Sequence, residues 1–478
     1  MYPTRNGVYE PLMVFNKLKN EIVPWLATGY KWSDDNKTLT LAIREGVKWS
    51  DGQPFAASDV AYTFNLLKSN GGLQGAGGIA VAADGFVDSV SAPDAKTAVF
   101  KLKRVNTPGL IDIVSQNIVP EHVWKDIKDP VKETNENPVA TGPFTKISNF
   151  QSQVYQIDKN PTYWQADKVK VKGIRIPWYS GNDAAQLAFV KGDLDWSSSF
   201  FPNVEQSVIA KNPTDLHYWW PTVGSVTLFM VNTTKKPFDD VKVRKAIGMA
   251  LNRQQMITLI LKGLTKPADV TGLSEGFAAV KVQDPAKLGD WTTYNPAKAN
   301  ALLDSAGYKK GAGGIRQTAD GTPLKFTLTM VNGFTDWIAI GPVIQQNLKT
   351  IGIDAQIKTM DVLVAFDSWM KGTFDMSMFF GVDATSPYAL YRNIMSKDTV
   401  KPVGTDTPLT VNHWRFASSK ADDLLTKYAT SSDPAKQKEI AQQLQTVFAD
   451  EAPVIPMWAA PQLYNSPYAA NLIWLPNT

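Results

Sequence analysis

The sequence predicts a mixed α/β protein built in more than one lobe. Three observations carry this. At 478 residues the chain is too long for a single hydrophobic core. Strand-like alternation and helix-like spacing are interleaved from one end to the other. No tandem repeat and no low-complexity linker interrupts them.

The elements follow in order. Thr38–Ile43 alternates in polarity like a half-buried strand, and Thr97–Leu102 and Gln153–Asp158 do the same. Between the first two, the run Trp49, Ser50, Asp51, Gly52 carries an Asp-Gly turn signal. A helix follows with Val60, Phe64 and Leu67 on one face, and Ser58 or Asp59 serves its N-terminal end. The glycine-rich stretch Gly71–Gly78 reads as a surface loop. Asp239 and Asp240 introduce a long helix over Val241–Leu261, with Ile247, Leu251 and Met256 among its apolar positions. Asn295-Pro296 is a cap followed by proline in the first turn, and that helix ends at Gly307. Another runs from about Ile338 to Thr350 and stops at Gly352, a C-terminal glycine signal. Ile353–Ile357 then alternates as a strand. A last helix starts at Asp433-Pro434 and carries Ile440, Leu444, Val447 and Phe448; the short apolar strand Pro453–Trp458 follows it.

Composition removes several function classes. No apolar run approaches the ~20 residues of a membrane helix. The 49 basic and 45 acidic residues nearly balance, and the basic ones form no cluster, so no nucleic-acid partner is expected. Without cysteine there is no disulfide, no thiolate metal site and no thiol nucleophile. His122, His217 and His413 lack metal-ligand spacing, so neither metal nor cofactor is expected. There is no nucleophile elbow, no phosphate-binding loop and no dinucleotide fingerprint. A pair of catalytic carboxylates, as in a glycosidase, finds no positive support in the sequence. The residues after Met1 look like the interior of a domain, as in a chain whose leader has been removed.

Several blocks together resemble the bacterial solute-binding proteins that serve oligopeptide, dipeptide, nickel and oligosaccharide importers. These are Val8–Leu12, Val23–Ala27 and the run from Arg44 to Val60. Later come Thr141–Phe144, Asn160-Pro161 with Tyr163-Trp164, Lys191–Asp195, Pro237–Ile247 and Ala452–Pro456. The resemblance spans essentially the whole chain. It implies a two-lobed periplasmic-binding-protein-like fold with a hinge, closing on its ligand. The first lobe would be residues 1–265 plus 452–478, with a subdomain inserted at about 40–145, and the second lobe 266–451. It also implies inner-membrane ABC permease subunits as partners, a periplasmic or lipid-anchored monomer, and no enzymatic step.

Two ligand classes remain open. In peptide receptors of this kind a carboxylate pairs with the peptide amine, in a motif that Asp383 and Pro387 resemble. Other segments look like the subgroup that binds cellobiose and β-linked gluco- or xylo-oligomers: Ser180–Asp183, Asp195-Trp196, Phe200–Asn203, Leu216–Pro221, Thr335–Trp337, and Ser386–Tyr388 with Arg392. Sugar rings stack on aromatic faces, and their hydroxyls need amide and carboxylate partners. The settings of Trp219, Trp220 and Trp337, more than the count of fifteen tryptophans, put oligosaccharide ahead of peptide, although core packing is at least as ordinary a use for any one tryptophan. The predicted ligand contacts are Asn182, Asn203, Trp219, Trp220, Trp337, Trp369, Asp383, Tyr388, Arg392 and Trp458. Trp25, Trp49 and Trp164 sit in blocks shared by the whole family and are expected to be structural.

Overall fold

The structure, a computed structural model, describes residues 7–16, 18–73, 75–197, 199–211, 213–214, 216, 224–382 and 384–460. The chain divides into two compact units, residues 1–178 with 429–434 and residues 179–428 with 435–478.

The first unit begins with a two-stranded ribbon, β1 (Met13–Asn16) and β2 (Glu21–Pro24). Strands β3 (Ala27–Trp32), β4 (Thr38–Ile43), β5 (Val87–Asp94) and β6 (Thr97–Leu102) form an antiparallel sheet in the order β3-β4-β6-β5. Leu39, Leu41 and Ile43 point inward from β4, as the alternation requires. They meet helix α1 (Ala57–Ser69), whose Val60, Phe64 and Leu67 are buried. Asp59 works in the first turn of α1, accepting from the Ala56 amide at 3.0 Å. A second antiparallel sheet, β7 (Phe144–Gln151), β8 (Val154–Lys159) and β9 (Gly173–Pro177), covers its own small core around Tyr155 and Ile157.

The family-like blocks of this unit hold one another. Glu10 is buried and accepts from Trp25 Nε1 at 2.7 Å, Tyr163 Oη at 2.9 Å and Trp164 Nε1 at 3.1 Å. Burial raises the Glu10 pKa, and the hydrogen bonds from Trp25, Trp164 and Tyr163 oppose that rise. The Arg44 guanidinium lies 4.7 Å from the Trp164 ring centre and donates to the Trp25 carbonyl. Trp49 is fully buried and donates to Asp59 at 3.3 Å. The three tryptophans expected to be structural are therefore tied to buried carboxylates.

In the second unit a five-stranded sheet runs in the order β12-β11-β13-β10-β14. Its strands are β10 (Val226–Val231), β11 (Lys325–Val331), β12 (Asp354–Met360), β13 (Met376–Phe379) and β14 (Ile455–Ala459). β11 is parallel to β12 and β13, whereas β10 is antiparallel to both of its neighbours. Main-chain pairing thus joins β10 and β14, expected in the first lobe, to three strands expected in the second. Helices α2 (Asn182–Lys191), α3 (Val241–Ala250), α4 (Arg253–Leu259), α5 (Pro296–Ser305), α6 (Thr335–Thr350), α7 (Val362–Lys371) and α8 (Pro387–Met395) follow in chain order. Two more, α9 (Ser419–Ala429) and α10 (Pro434–Glu451), precede β14. The helix expected over Val241–Leu261 is two: Asn252 leaves helical geometry and its side chain caps α4 by accepting from the Gln255 amide at 3.0 Å. Arg244 ties the Pro237–Ile247 block to the last strand's approach, donating to the carbonyls of Phe238, Glu451 and Ala452.

Candidate ligand-binding site

In an open α/β sheet, ligands bind beyond the carboxyl ends of the parallel strands, where loops rather than side-chain layers close the sheet. Strands β11, β12 and β13 are parallel, so the loops after Val331, Met360 and Phe379 emerge at one end of the sheet. Most of the described candidate residues belong to these loops or to elements packed on them.

The loop after β11 meets the start of α2. Gly333 has φ +84, and a Cβ there would lie 2.4 Å from the Ser180 carbonyl oxygen. A Cβ on Gly181 would lie 2.7 Å from the Gly333 Cα. Two glycines are thus needed for the backbones to approach. The approach lets the Asn182 amide donate to the Gly333 carbonyl at 3.0 Å. It also places the Asn182 side chain over the first turn of α6. Asn182 Nδ2 donates to Thr335 Oγ1 at 3.2 Å and to Asp336 Oδ1 at 3.4 Å.

Asp336 is the residue that sequence reasoning passed over. It lies inside the Thr335–Trp337 segment but is not among the predicted contacts. Only 6% of it is exposed, and no cation pairs with it among the described residues. Burial pushes its pKa up to about 6, although its own amide, the Trp337 amide and Asn182 all hydrogen-bond the carboxylate. The sequence signal was an aspartate in a helix's first turn, which is so common a cap that it does not single out a ligand site.

Beneath these loops lies an aromatic cluster. Trp337 is 3% exposed, 5.4 Å from Phe334, 5.3 Å from Phe380 and 6.3 Å from Trp369 between ring centres. Trp369 is fully buried, flanked by Phe366 at 4.9 Å and Phe380 at 5.8 Å. Trp458 is 3% exposed on β14, opposite Thr227, with a bridge to Pro267 on its other side. The rings of these three tryptophans are covered by protein.

Tyr388 and Arg392 stand one turn apart on α8, with the guanidinium 5.7 Å from the Tyr388 ring centre. Tyr388 also packs on Tyr428 at 5.5 Å. Ser386 caps this helix by accepting from the Ala389 amide at 3.1 Å, and Pro387 fills its first position. Asn203 is exposed, with φ +51, at the head of the single turn 204–207. No hydrogen bond or ring contact among the described residues joins Asn203 or Trp458 to the other candidates. Trp219, Trp220 and Asp383 lie outside the described residues. Among the described residues there is no cluster of side chains able to hold a metal, and no helix is long and apolar enough to cross a membrane.

The chain is similar to the oligopeptide-binding protein OppA of Bacillus subtilis, at 25% identity, over 91% of this chain and 78% of that one. It is similar to the nickel-binding periplasmic protein of Escherichia coli at 24% identity, over 97% and 87%. Among solved structures, the mannohexaose-bound periplasmic oligopeptide-binding protein of Thermotoga maritima superposes with a TM-score of 0.86 at 24% identity, covering 97% of this chain and 86% of that one. The sequence profile of the bacterial extracellular solute-binding proteins, family 5 (middle region), matches residues 21–401. A match across most of the chain, on a fold of two α/β units, makes this protein a member of that solute-binding family.

Proposed function

We propose that the protein is the extracytoplasmic receptor of an ABC importer for oligopeptides, capturing its ligand by hinge closure with no covalent step. The observation that carries the peptide reading is the buried Asp336 carboxylate at the carboxyl end of the sheet. It has no cationic partner among the described residues, and a peptide's free amine complements it. The covered rings of Trp337, Trp369 and Trp458 add to this, because the flat faces that a sugar needs are not offered there. So does the similarity to OppA, a protein named for oligopeptide binding. Asp383 is a second anchor for the amine on this reading. The permease subunits are the protein partners, and the receptor acts as a monomer, free in the periplasm or lipid-anchored.

The second reading is the oligosaccharide one, a β-linked gluco- or xylo-oligomer. The Asn182 amide beside the Asp336 carboxylate favours it, since together they offer the donor and acceptors that a hydroxylated rim requires. A thermal-shift panel separates the two. Ligand at a hundred-fold excess over its dissociation constant stabilises the native state by about 2.7 kcal/mol. Tri- to pentapeptides are expected to raise the melting temperature while cello-, xylo- and manno-oligomers leave it unchanged. The reverse pattern would transfer the protein to the sugar class.

A further inference from the structure

Asparagine followed by glycine sets a side-chain amide beside an unhindered main-chain nitrogen, a thermally labile pairing. The chain carries it at Asn6-Gly7, whose asparagine lies outside the described residues, at Asn70-Gly71 and at Asn332-Gly333. The fold treats the last two differently.

Asn70, at the end of α1, is held twice. Its Nδ2 donates to the Leu66 carbonyl at 2.9 Å, and its own carbonyl accepts from the Leu73 amide at 3.0 Å. Asn332 is exposed, and its side chain has no hydrogen-bond partner among the described residues. The peptide unit that joins it to Gly333 has none there either: the Asn332 carbonyl accepts nothing and the Gly333 N–H donates to nothing. Only the flanks are tied. The Asn332 amide donates to the Met360 carbonyl at 2.8 Å, the Phe334 amide to the Val331 carbonyl at 3.3 Å, and the Asn182 amide to the Gly333 carbonyl at 3.0 Å. With Gly333 at φ +84 and Asn332 at negative φ, residues 331–334 form a type II turn. Turning the free peptide over to type I breaks none of these bonds, and glycine accepts both forms. The Gly333 nitrogen can thus swing towards the Asn332 side chain, a motion that the Leu73 bond denies to Asn70-Gly71.

We propose that Asn332 is a site of spontaneous deamidation, and that its isoaspartate product disables the candidate ligand site. The Gly333 amide proton goes to solvent base, the nitrogen bonds to Asn332 Cγ, the Cγ–Nδ2 bond breaks and ammonia leaves. Water then opens the succinimide. Opening at Cγ gives aspartate. Opening at the main-chain carbonyl gives isoaspartate, in which the chain runs through Cβ and Cγ and is longer by one carbon. The sum is water in and ammonia out, with no redox change. The longer chain displaces Gly333 where there is no slack, since even a Cβ on Gly181 would lie 2.7 Å from the Gly333 Cα. The Asn182 amide then loses its acceptor, and the Asn182 side chain its place beside Asp336. The loss of binding rests on Asn182 and Asp336 being the ligand site; the deamidation does not.

The test is to age the full chain in warm, mildly alkaline buffer and map its peptides after digestion in acid. The mass gain of an NH2-to-OH exchange is expected at Asn332 at least tenfold faster than at Asn70. In urea, where neither dipeptide is held, the two rates should converge. The deamidated fraction, isolated by ion exchange, should bind the tri- to pentapeptide or oligosaccharide that raises the melting temperature at least tenfold more weakly than fresh protein. Asn332→Gln, which would have to close a larger ring, should keep its affinity through the same ageing. Equal rates at the two asparagines in the folded protein would overturn the proposal. So would a loss of affinity in aged Asn332→Gln that matches wild type. Isoaspartate at position 332 with affinity intact would overturn the effect on binding and move the ligand away from Asn182 and Asp336.

Discussion

Replacing Asp336 by asparagine separates what the carboxylate costs the fold from what it gives the ligand. The folded protein holds this carboxyl at a pKa of about 6 against an ordinary 3.8, so the native state binds the proton more tightly than the unfolded chain. Its contribution is most favourable below pH 3.8 and is lost as the pH rises through about 6. At about 1.36 kcal/mol per unit, the gap makes the ionised group cost the native state about 3 kcal/mol at pH 7.5. At pH 4.5 the same linkage leaves a cost of only about 1 kcal/mol. Asp336→Asn keeps the size and one acceptor oxygen but cannot ionise. Urea denaturation of both proteins at the two pH values isolates this group, because every other titration is shared. The stability of the variant relative to wild type should rise by about 2 kcal/mol between pH 4.5 and pH 7.5. A difference that stays flat within about 0.5 kcal/mol would refute the reasoning, since it would mean that the carboxyl titrates as in water. The same variant should bind the preferred oligomer at least tenfold more weakly. A more stable protein with a poorer site is the pattern expected where a buried charge is kept for function.

Two further perturbations test the frame around the site. His413 is buried, contacts Thr407 Oγ1 at 3.0 Å and the Leu409 carbonyl at 2.7 Å, and has its pKa lowered to about 4 by burial. Its contribution is present above pH 6.5 and lost as the pH falls towards 4, so between pH 7 and 4.5 wild type should lose about 2–3 kcal/mol relative to His413→Gln in urea melts. In the first unit, Glu10→Ala strands the N–H groups of Trp25 and Trp164 and the Tyr163 hydroxyl, and should cost about 3–5 kcal/mol in chemical denaturation. Glu10→Gln, which keeps an acceptor oxygen, should lose visibly less.

Much of the local structure was legible. The alternation at Thr38–Ile43 and Thr97–Leu102 fixes both strands to the residue, and Asn295-Pro296 marks the start of α5 through a cap that accepts from the Lys298 amide at 2.9 Å. The signals missed have physical causes. β10 is buried on both faces and shows no alternation, so Val226–Val231 reads only as an apolar run. The break is only two residues, Leu251 and the capping Asn252, inside an otherwise continuous helical pattern. The site was harder, because a ligand contact and a core aromatic have the same composition. Trp337 occurs in a segment suited to sugar stacking and Trp369 is a predicted contact, yet their neighbours Phe334, Phe366 and Phe380 enclose them, and no one-dimensional pattern encodes that enclosure. The family blocks were clear for a different reason: Glu10, Trp25, Arg44 and Trp164 need one another, so they leave traces at four separated places.

The order of the five-stranded sheet also governs how the chain can be made. β10 is complete on one side only when residues 455–459 arrive, more than 200 positions later, and pair with it. Until then that edge is open. Sheet closure of this sort depends on contacts very distant in sequence and is slow. The second unit therefore cannot finish folding while its last strand is still being synthesised. A change that weakens the pairing of residues 455–459 with β10 is therefore expected to unfold the second unit as a whole rather than to fray its end.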